Sequence, residues 1–158
     1  MCGIVGFVNN KENKEKIIKD MSKKIEHRGP DGEGFYIDDN CALAHRRLAI
    51  IDLNTGAQPI YNEDKSKVII YNGEVYNFKE LKDALLKKKH VFKTKTDTEV
   101  ILHGYEQWGE KLPNHLRGMF SFAIWDKNKN ELFMARDGFG IKPLYYAKFN
   151  DTFMFASE

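Results

Sequence analysis

Met119-Phe120-Ser121-Phe122-Ala123-Ile124-Trp125-Asp126 is apolar at both its odd and its even positions, with Ser121 the one polar residue before Asp126. Alternate side chains leave a strand on opposite faces, so a strand of this composition is buried on both. Three more strands are expected after it, at Glu131 to Asp137, Pro143 to Phe149 and Thr152 to Ala156. Lys127-Asn128-Lys129-Asn130 separates the first pair and Asn150-Asp151 the last, both short polar turns. A sheet that is apolar on both faces needs a second sheet on one side and helices on the other. The expected fold class is therefore α+β, a four-layer α/β/β/α sandwich of antiparallel sheets.

The rest of the chain supplies the other layers. Val68-Ile69-Ile70-Tyr71 predicts a β-branched strand that ends at Asn72-Gly73-Glu74, where Asn-Gly signals a tight turn. Ile4 to Val8, Gly34 to Asp38 and Cys41 to Asp52 predict strands, with Ala42, Ala44, Leu48 and Ile50 sharing one face of the last. A loop from Leu53 to Pro59 follows it. Glu12 to Glu26 carries Ile17, Ile18, Met21 and Ile25 at helical spacing. Asn77 with Glu80 predicts a capping box ahead of a helix buried through Leu81, Ala84 and Leu85. Asp97 is the expected N-cap of a helix with Val100, Ile101 and Tyr105 inward.

No repeat or linker divides the 158 residues, so 1–158 reads as one domain, long enough to bury roughly 70% of its unfolded surface. The composition, 42% hydrophobic and 30% charged, is that of a globular chain. Lys and Arg number 25 against 23 Asp and Glu, and this net +2 is spread among acids, so no nucleic-acid footprint is expected. No apolar run approaches the roughly 20 residues of a membrane span, and the start lacks a secretory signal. Cys2 and Cys41 make no disulfide scaffold, and no CxxC or HExxH motif announces a metal. These features predict a cytoplasmic domain.

Cys2 is the first candidate for chemistry. Removal of Met1 would make it the N-terminus, and an α-amine with a pKa of about 7.7–8.0 is substantially unprotonated near neutrality. One residue would then hold nucleophile and base together. The alternative is a small residue in a buried strand. Asn72 and Gly73 offer a side-chain amide and a backbone N–H to a developing oxyanion, or form an ordinary turn. Arg47 lies among apolar residues and needs either an internal acid or a substrate carboxylate. Asp97 stands between helix cap and ligand for an ammonium. His27 and His45 read as structural.

Taken in order, these segments carry a resemblance. Cys2-Gly3-Ile4-Val5-Gly6 resembles the start of class II glutamine amidotransferase domains, which are N-terminal-nucleophile hydrolases. His27-Arg28-Gly29-Pro30-Asp31-Gly32, Ala44 to Asp52, Gly56-Ala57-Gln58-Pro59 and Tyr71-Asn72-Gly73-Glu74-Val75-Tyr76-Asn77 narrow it. With Thr96 to Ile101, and Arg136-Asp137 through Gly140 to Tyr146, they are similar to the glutaminase domain of glutamine-hydrolysing asparagine synthetases. The likeness covers essentially the whole chain.

The resemblance implies that Cys2 attacks the side-chain amide of L-glutamine and forms a γ-glutamyl thioester, later hydrolysed to glutamate. It implies an oxyanion hole from Asn72 and Gly73 and a carboxylate clamp at Arg47. It also implies an ammonium site at Asp97 and Glu74, and backbone lining from Leu48, Ala49, Ile50 and Ile51. No metal or cofactor is expected for this half-reaction. ATP and Mg²⁺ would belong to a synthetase domain, and neither an SGGxDS loop nor a GxxxxGK[ST] loop occurs here. Glutamine and a synthetase domain or subunit that accepts ammonia are the expected partners, with a homodimer as a further option. Gly138 departs from the family, which commonly carries a side chain such as Arg there. The rival readings are a catalytically silent assembly module and the glutaminase of another class II branch.

Overall fold

The computed structural model describes residues 1–9, 12–48 and 56–158. Nine strands and three α-helices are formed among them: β1 (Gly3–Val8), α1 (Lys14–Lys24), β2 (Gly32–Ile37), β3 (Cys41–Arg47), β4 (Ile60–Tyr61), β5 (Lys67–Val75), α2 (Phe78–Lys87), α3 (Asp97–Trp108), β6 (Gly118–Asp126), β7 (Glu131–Arg136), β8 (Tyr145–Phe149) and β9 (Thr152–Ala156). Two antiparallel sheets result, one ordered β2-β3-β1-β9-β8 and the other β4-β5-β6-β7.

Period-two burial builds the four expected layers. On β5 and β6, Val68, Ile70, Ala123 and Trp125 point at the other sheet and meet Ile4, Leu43 and Phe155. The alternate residues Ile69, Tyr71, Val75, Phe122 and Ile124 pack on Leu81 and Leu85 of α2 and Val100, Ile101 and Tyr105 of α3. On the far face of the five-stranded sheet, Val5, Phe7, Ala42 and Ala44 receive Ile18 and Ile25. Each fully buried aliphatic or aromatic side chain contributes about 1.5–3 kcal/mol of transfer free energy. Asp38 joins the two sheets: it caps the β2–β3 turn through Asn40 N and Cys41 N, and it accepts from Trp125 Nε1 at 2.7 Å.

Several local expectations are corrected. Asn72-Gly73-Glu74 is not a turn, because β5 continues to Val75 and pairs Asn72 with Ser121 and Gly73 with Phe120. Gly73 is required by close approach, since a Cβ there would sit 2.3 Å from Met119 O. Thr96, not Asp97, caps α3, accepting from Glu99 N, and Asp97 is the first helical residue. Asn77 precedes α2 but forms no capping box. Its side chain bridges His115 O and Arg117 N, while Glu80 pairs with Arg117. Ala84 is exposed. Arg47 ends β3 half-buried rather than lying mid-strand, and the expected continuation through Ile50 to Asp52 lies outside the described residues. Strand β8 is a fully exposed edge, not a doubly covered strand.

Candidate active site

Cys2 stands just before β1, the middle strand of its sheet, and is half-buried. Leu48 holds its sulfur with both backbone groups: Leu48 N donates to Sγ at 3.4 Å, and the thiol reaches Leu48 O at 3.8 Å. Arg28 Nε donates to Cys2 O at 3.2 Å. Two residues on, Ile4 N donates to Ser157 Oγ at 3.0 Å and Ile4 O accepts from Ser157 N at 2.9 Å. The thiol is thus fixed at the end of a strand anchored from three separate segments.

Strand β5 lies over this end of β1. His45 is paired with Ile4 in register, and its ring is hydrogen-bonded to the backbone of Tyr71. Burial lowers the His45 pKa to about 4, with Arg47 adding to the effect against the Tyr71 bond, so the imidazole is neutral at pH 7. Asn72, next along β5, follows Val68 and Ile70 on the inter-sheet face. It is 3% exposed, and its Nδ2 has no hydrogen-bond partner. Ser121 Oγ, on its register partner, and His45 Nε2 are likewise buried and unpartnered. A buried donor without an acceptor costs about 1–3 kcal/mol, so such a group implies a missing partner.

A second donor adjoins the first. Tyr71 N donates to Gln58 Oε1 at 2.6 Å and Val75 N to Asp97 Oδ2 at 3.0 Å, both off the edge of β5 away from β6. Backbone groups alternate between strand edges, so the Gly73 N–H leaves by that same edge. Asn72 Nδ2 and Gly73 N are thus donors on consecutive residues of β5, the kinds of group that can meet an oxyanion.

The charged candidates flank it. Asp97 Oδ2 also accepts from Tyr71 OH at 2.7 Å. Burial, reinforced by Asp97, raises the Tyr71 pKa well above its ordinary value, so the phenol remains a donor. Glu74 is exposed on β5. Arg47 O accepts from Asp31 N at 3.0 Å, and Arg47 precedes the residue that clasps the thiol. Ala49, Ile50 and Ile51 lie outside the described residues. His27 pairs with Glu158 at the surface.

Sequence reasoning missed Tyr71, Gln58, Arg28 and Ser157 as supports. Tyr71 was hidden in an apolar run, and Gln58 mimics a strand neighbour, its Nε2 donating to Tyr71 O at 3.1 Å while its Oε1 accepts from Tyr71 N. Arg28 and Ser157 reach the Cys2 end of β1 across 26 and 153 residues, distances that no local spacing reveals.

Residues 1–158 match a family model described as glutamine amidotransferase domain. Asparagine synthetase [glutamine-hydrolyzing] 1 of Bacillus subtilis is 47% identical over 163 residues, spanning 100% of this chain and 26% of that protein. Asparagine synthetase [glutamine-hydrolyzing] 3 of Arabidopsis thaliana is 44% identical over 162 residues, spanning 100% of this chain and 28% of its own length. The chain thus spans about a quarter of these relatives. Among solved structures, the glutamine phosphoribosylpyrophosphate amidotransferase of B. subtilis superposes with a TM-score of 0.82 at 23% identity, over 99% of this chain and 42% of the other. That likeness bears on the fold alone, the two packed antiparallel sheets with helices outside them. No helix among the described residues is long and apolar enough to cross a membrane.

Proposed function

The chain belongs to the glutamine amidotransferase domain family, and from that premise we propose that residues 1–158 are a glutaminase domain hydrolysing L-glutamine at Cys2. The observation that carries the reading is the unpartnered Nδ2 of buried Asn72, beside the outward Gly73 N–H and at the Cys2 end of β1.

Removal of Met1 frees the α-amine of Cys2. The neutral amine takes the thiol proton, and Sγ adds to the carboxamide carbon of glutamine. Charge develops on the carbonyl oxygen and is met by Asn72 Nδ2 and Gly73 N. The tetrahedral adduct collapses, the α-ammonium returns its proton to the departing nitrogen, and ammonia leaves a γ-glutamyl thioester on Cys2. Water, giving its proton to the amine, adds to the thioester through a second oxyanion in the same cradle. Glutamate departs and the thiol re-forms. The net reaction is glutamine plus water giving glutamate plus ammonia. Each lost donor in such a cradle typically costs about 10²–10³ in kcat.

The two charged ends of the amino acid are met by Arg47, for the carboxylate, and by Asp97 and Glu74, for the ammonium. Asp97 Oδ2 is engaged by Tyr71 and Val75, which leaves Oδ1 for the ligand. The backbone of Leu48, which holds the thiol, lines the same pocket. The half-reaction draws only on groups of this chain. ATP and Mg²⁺ belong to the step of a synthetase partner that consumes the ammonia. Phe139 and Tyr146, 95% and 73% exposed, with Ile141, Tyr145 and Phe149, leave apolar side chains open on both faces of edge strand β8 and on the preceding loop, which suits such a partner. A Cβ at Gly138 meets nothing within 4 Å, so a side chain there would be accommodated without disturbing the loop. The reading puts the protein in the cytoplasm, where Cys2 stays a thiol.

Glutamate release from L-glutamine by untagged protein with a free N-terminus, beside Cys2→Ala, tests the proposal. Release abolished by the substitution is expected. Equal release from both proteins removes Cys2 as nucleophile, and no release from either favours the silent assembly module.

A further inference from the structure

A second polar cluster lies on the helix side of the four-stranded sheet. His103 and Glu106 are one turn apart on α3, His90 is in the connection between α2 and α3, and Glu63 is in the connection between β4 and β5. One ligating atom from each of the four falls within 4.8 Å of all the others. His103 Nδ1 is 2.7 Å from Glu106 Oε2 and 3.7 Å from Glu63 Oε2, and His90 Nδ1 is 3.7 Å from Glu106 Oε2. Ligand atoms about 2.0–2.2 Å from a tetrahedral Zn²⁺ stand about 3.4 Å from one another, within the range seen here.

Outer groups hold each carboxylate and the buried imidazole with these atoms turned inward. Glu106 Oε1 accepts from Asn62 Nδ2 at 2.7 Å, which leaves Oε2 for the two histidines. Glu63 Oε1 accepts from Val91 N at 3.1 Å, leaving its Oε2. His103 is 1% exposed, and its Nε2 is buried without a hydrogen-bond partner, 3.8 Å from Glu99 Oε1. Glu99 is itself fixed by Lys93 N at 2.8 Å and by Thr94 N and Oγ1, each at 2.6 Å. A metal on Nδ1 places the ring proton on Nε2, facing Glu99. That is the carboxylate–histidine–metal arrangement by which proteins orient a ligating imidazole. The Phe92 ring packs edge-on against His103 at 4.7 Å, and half-open Glu63 gives an entry path from solvent.

We propose that Glu63, His90, His103 and Glu106 bind one divalent transition-metal ion, Zn²⁺ by ligand chemistry. Two neutral imidazoles suit a borderline cation, and two carboxylates cancel its charge. Four protein ligands close the coordination shell, so the site is structural. It ties both connections to α3, the helix whose first residue, Asp97, engages Tyr71 and Val75. No linear motif announces it, because the ligands come from three separate segments.

Titration of the chelator-stripped full chain with Co²⁺ tests the proposal, since cobalt reports geometry and ligand type by absorption. One equivalent is expected to give the visible bands of a tetrahedral site, without the near-ultraviolet band of a thiolate, and Zn²⁺ displaces it. His90→Gln and Glu63→Gln, both toward the rim, are expected to weaken binding at least as much as the ~10–100-fold typical of outer-shell changes, and Glu99→Gln by about that amount. Absence of saturable binding, a thiolate band from a cysteine ligand, or affinity unchanged in His90→Gln overturns the site. In any of those cases the cluster is an ion-pair network alone.

Discussion

Two of the motifs that mark this family meet opposite fates in the fold. Around Asp137 the polar groups are paired: Oδ1 accepts from Ile141 N, and Oδ2 from Lys142 N and Phe120 N. Arg136 closes the same loop, donating from Nε to Lys142 O at 2.7 Å and from Nη2 to Gly140 O at 2.6 Å. Burial pushes the Asp137 carboxyl up, yet these backbone N–H groups outweigh it and hold it below the ordinary carboxylate range. Around Cys2 the accounts stay open, with Asn72 Nδ2, His45 Nε2, Ser121 Oγ and Arg28 Nη2 all buried and unpartnered. The difference teaches how to sort motif residues by role. A buried polar group whose bonds are complete is holding the fold together, and one whose bonds are incomplete, like Asn72 Nδ2, is open to a ligand or an ordered water.

The sharpest way to break that contrast is to exchange its outcomes. Asn72→Ala is expected to lower kcat by about 10²–10³ with a smaller change in KM and little loss of stability, because its donor has no partner in the folded chain. Steady-state kinetics beside urea unfolding separate the two effects, and a change confined to KM makes Asn72 a binding residue. Asp137→Ala should do the reverse. Orphaning its N–H donors is expected to cost about 3–5 kcal/mol of stability, with kcat per folded molecule nearly unchanged. Loss of kcat in a fully folded Asp137→Ala protein would erase the distinction.

His45 gives a milder, pH-resolved test. It is neutral and buried with a pKa of about 4, whereas the unfolded chain titrates near 6.5, so between these values the unfolded state binds more protons. Stability is therefore expected to fall as pH drops through this window, by on the order of 3 kcal/mol in total, and to level off below it. Urea midpoints measured across the window should lose most of this slope in His45→Asn, and a slope that persists assigns the effect to other groups.

Much of the fold is legible in the sequence because burial on both faces leaves its mark on every residue of a strand. Met119 to Asp126 and Thr152 to Ala156 are read to within a residue of β6 and β9. What fails is local signal overridden by distant contact. Asn72-Gly73 has turn composition, but its glycine serves the approach of Met119 O. Asn77 and Glu80 have capping-box spacing, but their partners lie in the segment from His115 to Arg117. For the candidate site, residue types are visible and their environment is not. That Cys2 sulfur sits against the backbone of Leu48, or that Asn72 lacks an acceptor, is a property of two packed sheets rather than of any spacing.

Cys2 is the acylated nucleophile of the proposed mechanism, and the most direct test is to catch the acyl group. Processed protein mixed with L-glutamine, quenched in acid within a turnover and digested, is examined by mass spectrometry. The expected product is an N-terminal peptide that begins at Cys2 and carries one γ-glutamyl group on its sulfur. Turnover without any acylated peptide, or the acyl group on Cys41, contradicts the mechanism.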